Sequence, residues 1–363
     1  MLSIITAVAS LVVAVPAALL VQRRLRQARI SSQLKIVEAR GIVEERFVKI
    51  GGIDQWIGIR GEDKTNPVLL VVHGGPGSSG SIFTPHIRTW ERKFTVVQWD
   101  QRGSGKTFGR TGRRGSGEVN MDRLTSDGIE VAEYLCSRLR KDRIFLLANS
   151  FGTTFGMDIA RRRPDLLYAY VGADQNVGMV SKREERHVEV MDRLRAAGLV
   201  KGVKVLERIG PEPERWTPDD FTAVARWTMK SDARGFKQTM KFLKSSIWYT
   251  PGWKLTDIHS FVSGMKFSME RLLPEASRYD AWRQGTRFEI PIFIFQGAND
   301  VLLTPELARA YFLDLEAPIK RMTLISDVGH FAAFQRPEQV LGELLTHVRP
   351  LAEVSQQQPA RIA

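Results

Sequence analysis

Six stretches of the chain carry a short apolar run that stops abruptly at turn-forming residues: PVLLVVHGG (67–75), FTVVQWDQRGSG (94–105), RIFLLANSFG (143–152), LYAYVGADQ (167–175), PIFIFQGAND (291–300) and KRMTLISDVGH (320–330). A strand with one wet face alternates polar and apolar residues. A run without alternation suits a strand buried on both faces, as in a parallel sheet. Between these runs the apolar period lengthens to that of a helix, in 121–140, 153–163, 305–315 and 337–348. Strand alternating with helix predicts an α/β architecture, a mostly parallel central sheet with helices on both faces. Ahead of it, IVEERFVKIGGIDQWIGIRG predicts two short strands joined at Gly51-Gly52, a hairpin signal.

Residues 177–285 break the alternation, with helical patterns and no convincing core strand. They hold Trp216, Trp227, Trp248, Trp253 and Trp282, five of the chain's eight tryptophans. This predicts a helical lobe inserted into the sheet domain, its tryptophans forming either an apolar pocket or the lobe's own small core.

The N-terminus has a different pattern again. Residues 2–21 carry no charge, and twenty helical residues span about 30 Å, the thickness of a bilayer core. Arg23, Arg24, Arg26 and Arg29 follow, and no charged side chain precedes. That asymmetry predicts an uncleaved single-pass anchor with the bulk of the chain in the cytoplasm. Val-Pro-Ala at 15–17 keeps open export after signal cleavage. The expected division is an anchor with its basic flank at 1–30, a sheet domain at 31–176 and 286–349, the helical lobe at 177–285, and a disordered tail at 350–363.

Composition changes this picture little. The 363 residues are 43% hydrophobic and 26% charged, enough for a full core. An excess of 53 basic over 40 acidic residues, formally +13, suits an anionic partner or surface. With no zinc-finger spacing and no RNA-binding signature, nucleic acid is not expected. The single cysteine, Cys136, lies in a helical pattern, reads as a buried structural thiol and excludes a disulfide within the chain.

The chemistry gathers at the strand ends. Ser150 stands in Ala148-Asn149-Ser150-Phe151-Gly152, between an apolar strand and a helical pattern. A strand–serine–helix turn needs small residues two positions either side, because the backbone is close-packed there. Ala148 is a weaker match than glycine. HGGPG (73–77) follows another strand, and its glycines leave backbone N–H groups free to approach a developing negative charge. Gly74 or Gly75 and the N–H of Phe151 are the expected donors. Asp300 and His330 close two later strands, giving the order serine, acid, histidine. In an open parallel sheet all three ends share one edge. Asp327 is a rival acid, set aside because it lies so near His330 in the same loop. Asp100 and Arg102 read as a scaffold ion pair. No metal or cofactor is called for.

With HGGPG (73–77), WDQRGSGKT (99–107), NSFG (149–152), GAND (297–300) and GH (329–330) in place, the chain resembles the α/β-hydrolase superfamily, and within it the proline iminopeptidase-like branch, peptidase family S33. The resemblance covers roughly residues 42–349. It implies an α/β-hydrolase fold with an inserted helical cap, to which the sequence adds an N-terminal transmembrane helix. It also implies a serine hydrolase with Ser150 as nucleophile, His330 as base and Asp300 as orienting acid. The chain departs from the branch in the cap, where a Trp-Glu pair commonly meets the substrate's ammonium. Here Trp227 is followed by Thr228, and Glu184, Glu185 and Glu189 sit among basic residues. Trp227, Glu184 and Glu185 remain the candidate substrate contacts. Three functions stay open: a proline iminopeptidase-like serine hydrolase that cleaves an amide or ester of a short peptide or small molecule, as in removing N-terminal proline or similar residues; a membrane-tethered esterase or lactonase for small apolar substrates; and a non-catalytic ligand binder on the same scaffold. The sequence sets no oligomeric state.

Overall fold

The apolar runs assemble into one eight-stranded sheet. The computed structural model describes residues 2–178 and 182–357, with side chains from 14 to 178 and from 182 to 353. In chain order the strands are β1 (Ile42–Ile50), β2 (Ile53–Gly61), β3 (Val68–Val72), β4 (Thr95–Asp100), β5 (Ile144–Asn149), β6 (Leu167–Ala173), β7 (Ile292–Gly297) and β8 (Lys320–Ile325). Across the sheet they run β1-β2-β4-β3-β5-β6-β7-β8. The β1–β2 hairpin and its junction with β4 are antiparallel; every pairing from β4 to β8 is parallel. Gly51 and Gly52 turn the hairpin with φ of 53° and 79°, the positive pair a two-residue turn of this hand requires.

Helices cover both faces. An N-terminal helix α1 (Leu2–Gln33) precedes the sheet; α2 (Gly105–Gly115) and α3 (Met121–Leu139) follow β4, and α4 (Gly152–Arg162) follows β5. Between β6 and β7 come α5 (Arg183–Ala196), α6 (Val200–Ile209), α7 (Pro218–Lys230), α8 (Ala233–Tyr249), α9 (Leu255–Ala276) and α10 (Ala281–Gln284). Then α11 (Pro305–Asp314), α12 (Ala332–Gln335), α13 (Pro337–Glu343) and α14 (Pro350–Gln357) complete the chain. On one face Trp99, Leu146 and Ile294 of the sheet pack with Leu135, Phe155 and Tyr311 of the helices. On the other, Leu69, Val71, Phe145 and Phe293 pack with Phe83, Phe334 and Val340. The strands β3, β5 and β7 are buried along their whole length, as unalternated apolar runs require. β8 differs: Lys320, Arg321 and Leu324 are exposed because it is the sheet's edge, where charge discourages pairing with another chain.

The stretch between β6 and β7 is helical, with no strand over its described residues 182–285. It builds its own small cluster from Val190, Met191, Leu194, Leu206 and Trp227. It is also stitched to the sheet domain, Ser268 Oγ donating to the Gly103 carbonyl at 2.9 Å.

Two expectations for the termini are corrected. Among the described residues no helix is long and apolar enough to cross a membrane. The side chains of residues 2–13, most of the expected anchor, lie outside the described residues. The single-pass placement with its cytoplasmic orientation, and the membrane contact drawn from it, therefore do not stand. The argument from flanking arginines fails for a visible reason. Arg23 is buried and donates to the carbonyls of Trp248 at 2.9 Å and Trp253 at 2.7 Å. Its guanidinium lies 5.1 Å from the Trp248 ring centroid, and Arg26 lies 4.8 Å from that of Tyr249. Gln27 adds bonds to the carbonyls of Thr250 and Trp253. These side chains fasten α1 to the end of α8. At the other end, the tail expected to be disordered begins with a helix, α14.

Candidate active site

At the end of β5 the chain turns through Ser150 with φ of 53°, a left-handed conformation that costs a non-glycine residue about 1–2 kcal/mol. The turn is held by the Ser150 N–H, which donates to the Ala173 carbonyl of the neighbouring strand at 2.9 Å. α4 then packs so tightly that a Cβ on Gly152 would fall 2.6 Å from the His73 carbonyl oxygen. The methyl of Ala148, where a glycine was expected, is accommodated by Gly156 one turn further on. A Cβ at Gly156 would lie 2.7 Å from that methyl.

His330, beyond β8, joins the other two candidates. Its Nδ1 lies 2.7 Å from Asp300 Oδ2, and its Nε2 lies 2.9 Å from Ser150 Oγ. A carboxylate only accepts, so Nδ1 carries the hydrogen. In the neutral ring Nε2 is then free to accept from the serine hydroxyl. Asp300 Oδ1 accepts the N–H groups of Leu302 at 2.8 Å and Leu303 at 3.1 Å, which fixes the carboxylate. Burial alone would depress the His330 pKa; the charge and hydrogen bond of Asp300, with Asp174 behind, raise it to about 9. Asp327 is exposed, and its carbonyl accepts from Arg336 at 2.9 Å. It is not the acid at this histidine.

Gly74 overhangs the elbow. A Cβ there would fall 2.9 Å from Ser150 Cβ and 3.3 Å from the Phe151 nitrogen. The Phe151 N–H opens α4, where no intrahelical acceptor exists and the helix dipole is positive. Gly75, with φ of 132°, points an added Cβ into its own turn instead, 2.6 Å from the Gly77 nitrogen.

A family model for the serine aminopeptidases of family S33 matches residues 63–191, which contain this elbow and the glycine loop. Over those residues the chain is similar to the S33 serine aminopeptidases, a likeness that agrees with the α/β-hydrolase fold seen here. It is 27% identical over 321 residues to a probable aminopeptidase, YbaC, of Bacillus subtilis strain 168, covering 86% of this chain and 99% of that one. Among solved structures, a membrane phospholipase A superposes with a TM-score of 0.58 at 16% identity over 96% of each chain. A proline iminopeptidase-related protein from Thermus thermophilus gives 0.55 at 20% identity, over 85% of this chain and 99% of its own. At those identities the likeness is one of fold. The protein is a hydrolase.

Other residues of this hydrolase prove structural. Arg102 pairs with Asp127 at 2.8 Å rather than with Asp100. Asp100 accepts from Ser79 Oγ at 2.6 Å and from the Lys106 N–H at 2.7 Å, and burial pushes its pKa up to about 6. His73 has no exposure, and burial holds its pKa down to about 4. Its Nε2 accepts from the Gln101 N–H at 3.3 Å and its Nδ1 contacts the Gly74 carbonyl at 2.8 Å. The neutral ring thus ties the HGGPG loop to the WDQRG turn.

The candidate substrate contacts do not gather at the elbow. Trp227 is in the cap's own cluster. Glu184 and Glu185 are exposed, Glu185 3.3 Å from Lys182; Glu189 is 3.4 Å from Arg193. The cap side chain that does reach the acid's turn is Arg186, which donates to the Leu302 carbonyl at 2.6 Å. Its Nη1 is buried with no hydrogen-bond partner, and burial lowers its pKa. Among the described residues the aromatic ring against the histidine is a phenylalanine. The half-buried Phe331 ring meets the His330 ring edge-on at 4.7 Å and lies 5.8 Å from Phe83 and 6.4 Å from half-buried Phe242.

Sequence reasoning also passed over Asp174, although it follows β6 as Ser150 follows β5. Asp174, Asp300 and His330 are the described residues whose potential ligand atoms gather as for a metal ion, all within 4.8 Å. Hydrogen bonds account for that gathering. Asp174 accepts the N–H groups of Gly297 at 3.2 Å and Ala332 at 3.0 Å, and His330 is engaged at both nitrogens.

Proposed function

We propose that this protein is a serine hydrolase that cleaves an ester or amide through an acyl-enzyme on Ser150, and that it favours neutral, apolar acyl groups. The observation that carries the reading is His330, held by Asp300 on one nitrogen and within 2.9 Å of Ser150 Oγ on the other. Ser150 Oγ attacks the substrate carbonyl while its proton passes to His330 Nε2. Asp300 keeps the ring in the right tautomer and stabilises the imidazolium. The N–H groups of Gly74 and Phe151 receive the negative oxygen. His330 returns the proton to the leaving group. Water then repeats the attack on the acyl-enzyme and regenerates the serine.

The substrate preference has two supports. The half-buried ring of Phe331 beside His330, with Phe242 packed behind it, suits an apolar group. A buried ammonium needs a carboxylate beside it, or it keeps an uncompensated cost of several kcal/mol. The cap's acidic residues Glu184, Glu185 and Glu189 are exposed, while the cap group at the acid's turn is the Arg186 cation. A second reading, an aminopeptidase acting on free N-terminal proline or similar residues, is favoured by the S33 family match and the name of the Bacillus subtilis relative.

Fluorophosphonate labelling tests the nucleophile: the wild type is expected to label and Ser150→Ala to stay unlabelled, and equal labelling would refute it. A free against an N-blocked proline arylamide on the same leaving group tests the preference. A strong preference for the free amine, lost on replacing Glu184, Glu185 or Glu189, would establish the aminopeptidase reading instead.

A further inference from the structure

Asp174 is a carboxylate for which the mechanism above has no use, and it sits where the three reacting elements meet. It follows β6 with φ of 50° and is fully buried. Its Oδ2 accepts the Ala332 N–H at 3.0 Å, two residues beyond His330, and the amide of Asn149 at 3.3 Å, next to Ser150. Its Oδ1 accepts the Gly297 N–H at 3.2 Å, at the start of the turn that leads to Asp300. The preceding residue, Ala173, takes the Ser150 N–H at 2.9 Å.

We propose that Asp174 is a positioning residue of the hydrolytic site: a second carboxylate that ties the segments bearing Ser150, Asp300 and His330 together and favours the protonated form of His330. The proposal rests on His330 being the base. The groups around the imidazole are Asp300 from the turn after β7, Asp174 from the end of β6, Ser150 from the elbow, and from the cap Arg186, which reaches Leu302. Asp174 and Asp300 are thus the negative charges there. The molecule supplies its own comparison. His73 is buried and His86 half-buried, neither with a carboxylate partner, and loss of hydration holds both near a pKa of about 4. His330 lies as deep as His73, yet its pKa is raised, by Asp300 first and by Asp174 after it.

Backbone tethering alone would make Asp174 a strut, whose loss lowers stability and activity together. A charge acting on the ring predicts something separate. Asp174→Asn keeps the shape and one acceptor oxygen but removes the charge, so the His330 imidazole loses its proton more easily. The acid limb of kcat/KM, which follows the free enzyme's histidine, is expected to move about one unit to lower pH, and kcat at its plateau to fall about tenfold. An acid limb unmoved in a folded Asp174→Asn protein overturns the proposal.

A second measurement leaves the tethers of Asp174 untouched. In Asp300→Asn, the His330 ring is followed by NMR across pH, with no need for turnover. If Asp174 acts on the ring, it still titrates near the ordinary value of about 6.5. If the ring drops to the range of His73 and His86, Asp174 carries no such role. Fluorophosphonate labelling of the wild type separates the two claims. An unlabelled wild type removes the serine hydrolase reading, whereas a labelled one with an unmoved histidine removes only this proposal.

Discussion

Gly74→Ala is the sharpest test of the geometry at the elbow. Gly74 is not among the glycines with positive φ, so alanine adds no backbone strain and the change is one of space. The new methyl would lie 2.9 Å from Ser150 Cβ and 2.8 Å from the Asn149 carbonyl oxygen, where ordinary contact begins at 3.4 Å. The loop and the elbow must therefore separate by about 0.5 Å or more, the shortfall in those distances. The same methyl stands 3.3 Å from the Phe151 nitrogen, in the space a carbonyl oxygen would use to meet both N–H groups. Losing one such donor costs about 2.7–4 kcal/mol of transition-state stabilisation, a fall of 10²–10³ in kcat. Overpacking costs about 1–3 kcal/mol of stability, a drop in Tm of several degrees. The assay is kcat and KM on a short acyl ester, beside thermal unfolding, with Gly342→Ala as control because an added methyl there meets nothing within 4 Å. A Gly74→Ala protein that folds and keeps kcat within about threefold of wild type would refute the placement of the reacting carbonyl between Gly74 and Phe151.

The pH profile is the second test: His330 must be neutral to act, and its raised pKa, about 9, predicts that kcat/KM still climbs above neutrality. The sign for folding is opposite, since this histidine stabilises the native state below its unfolded value of about 6.5 and the contribution fades as pH rises toward 9. Trp227→Ala should cost the cap about 3–5 kcal/mol, seen as earlier proteolysis or a separate unfolding step in 182–285, because the ring fills the cluster with Leu194 and Leu206. Arg23→Ala should speed amide hydrogen exchange in the second half of α1 while leaving ester turnover within about twofold, since it breaks the bonds to the Trp248 and Trp253 carbonyls and touches nothing at Ser150. Gly156→Ala should be harmful alone and relieved by Ala148→Gly; measured stabilities that simply add would show that the two positions do not share one space.

What the sequence made legible follows from range. The strands and the order of serine, acid and histidine depend on local runs and on the rule that parallel strands end on one edge. β3, β5, β6 and β7, and the residues that follow them, lie where those runs stop. The exposure of β8 was not legible, because it depends on the strand's place at the sheet edge rather than on its own residues. Arg102 was misread for a related reason. Asp100 is two residues away in sequence, but the backbone turn gives the guanidinium to Asp127 on α3. Asp174 was passed over because its acceptors are satisfied from three other segments. Arg23 misled most: a rule about charges flanking an apolar run takes no account of carbonyls more than two hundred residues away. In the cap, aromatic residues were visible but their direction was not. The tryptophans went to packing, with Trp253 donating to Ser81 and Trp282 to Asp314, while Phe331 gained its place by following His330.

The four buried carboxylates along this edge show how catalysis and selection divide. Asp127 answers Arg102 and Arg123 and is spent on the scaffold. Asp100 is held by a hydroxyl and backbone N–H groups, and burial moves it toward its neutral form. Burial pushes Asp174 up to about 6 as well, against the pull of His330, and it and Asp300 lie beside the ring whose charge changes in the reaction we propose. When Ser150 attacks, positive charge arises on His330 and negative charge on the carbonyl oxygen. The first would meet preset carboxylates and the second preset N–H groups, with little reorganisation on either side. That arrangement responds to charge created in the transition state and is indifferent to the acyl group that creates it. Selection is therefore left to surfaces that touch the substrate away from the reacting bond. The groups on which our proposed preference rests are Phe331, edge-on to His330, and the Arg186 cation at the turn that carries Asp300. On the preference we propose, an apolar acyl chain would gain from the first and be untouched by the second, whereas a free amine would gain little from the first and be repelled by the second.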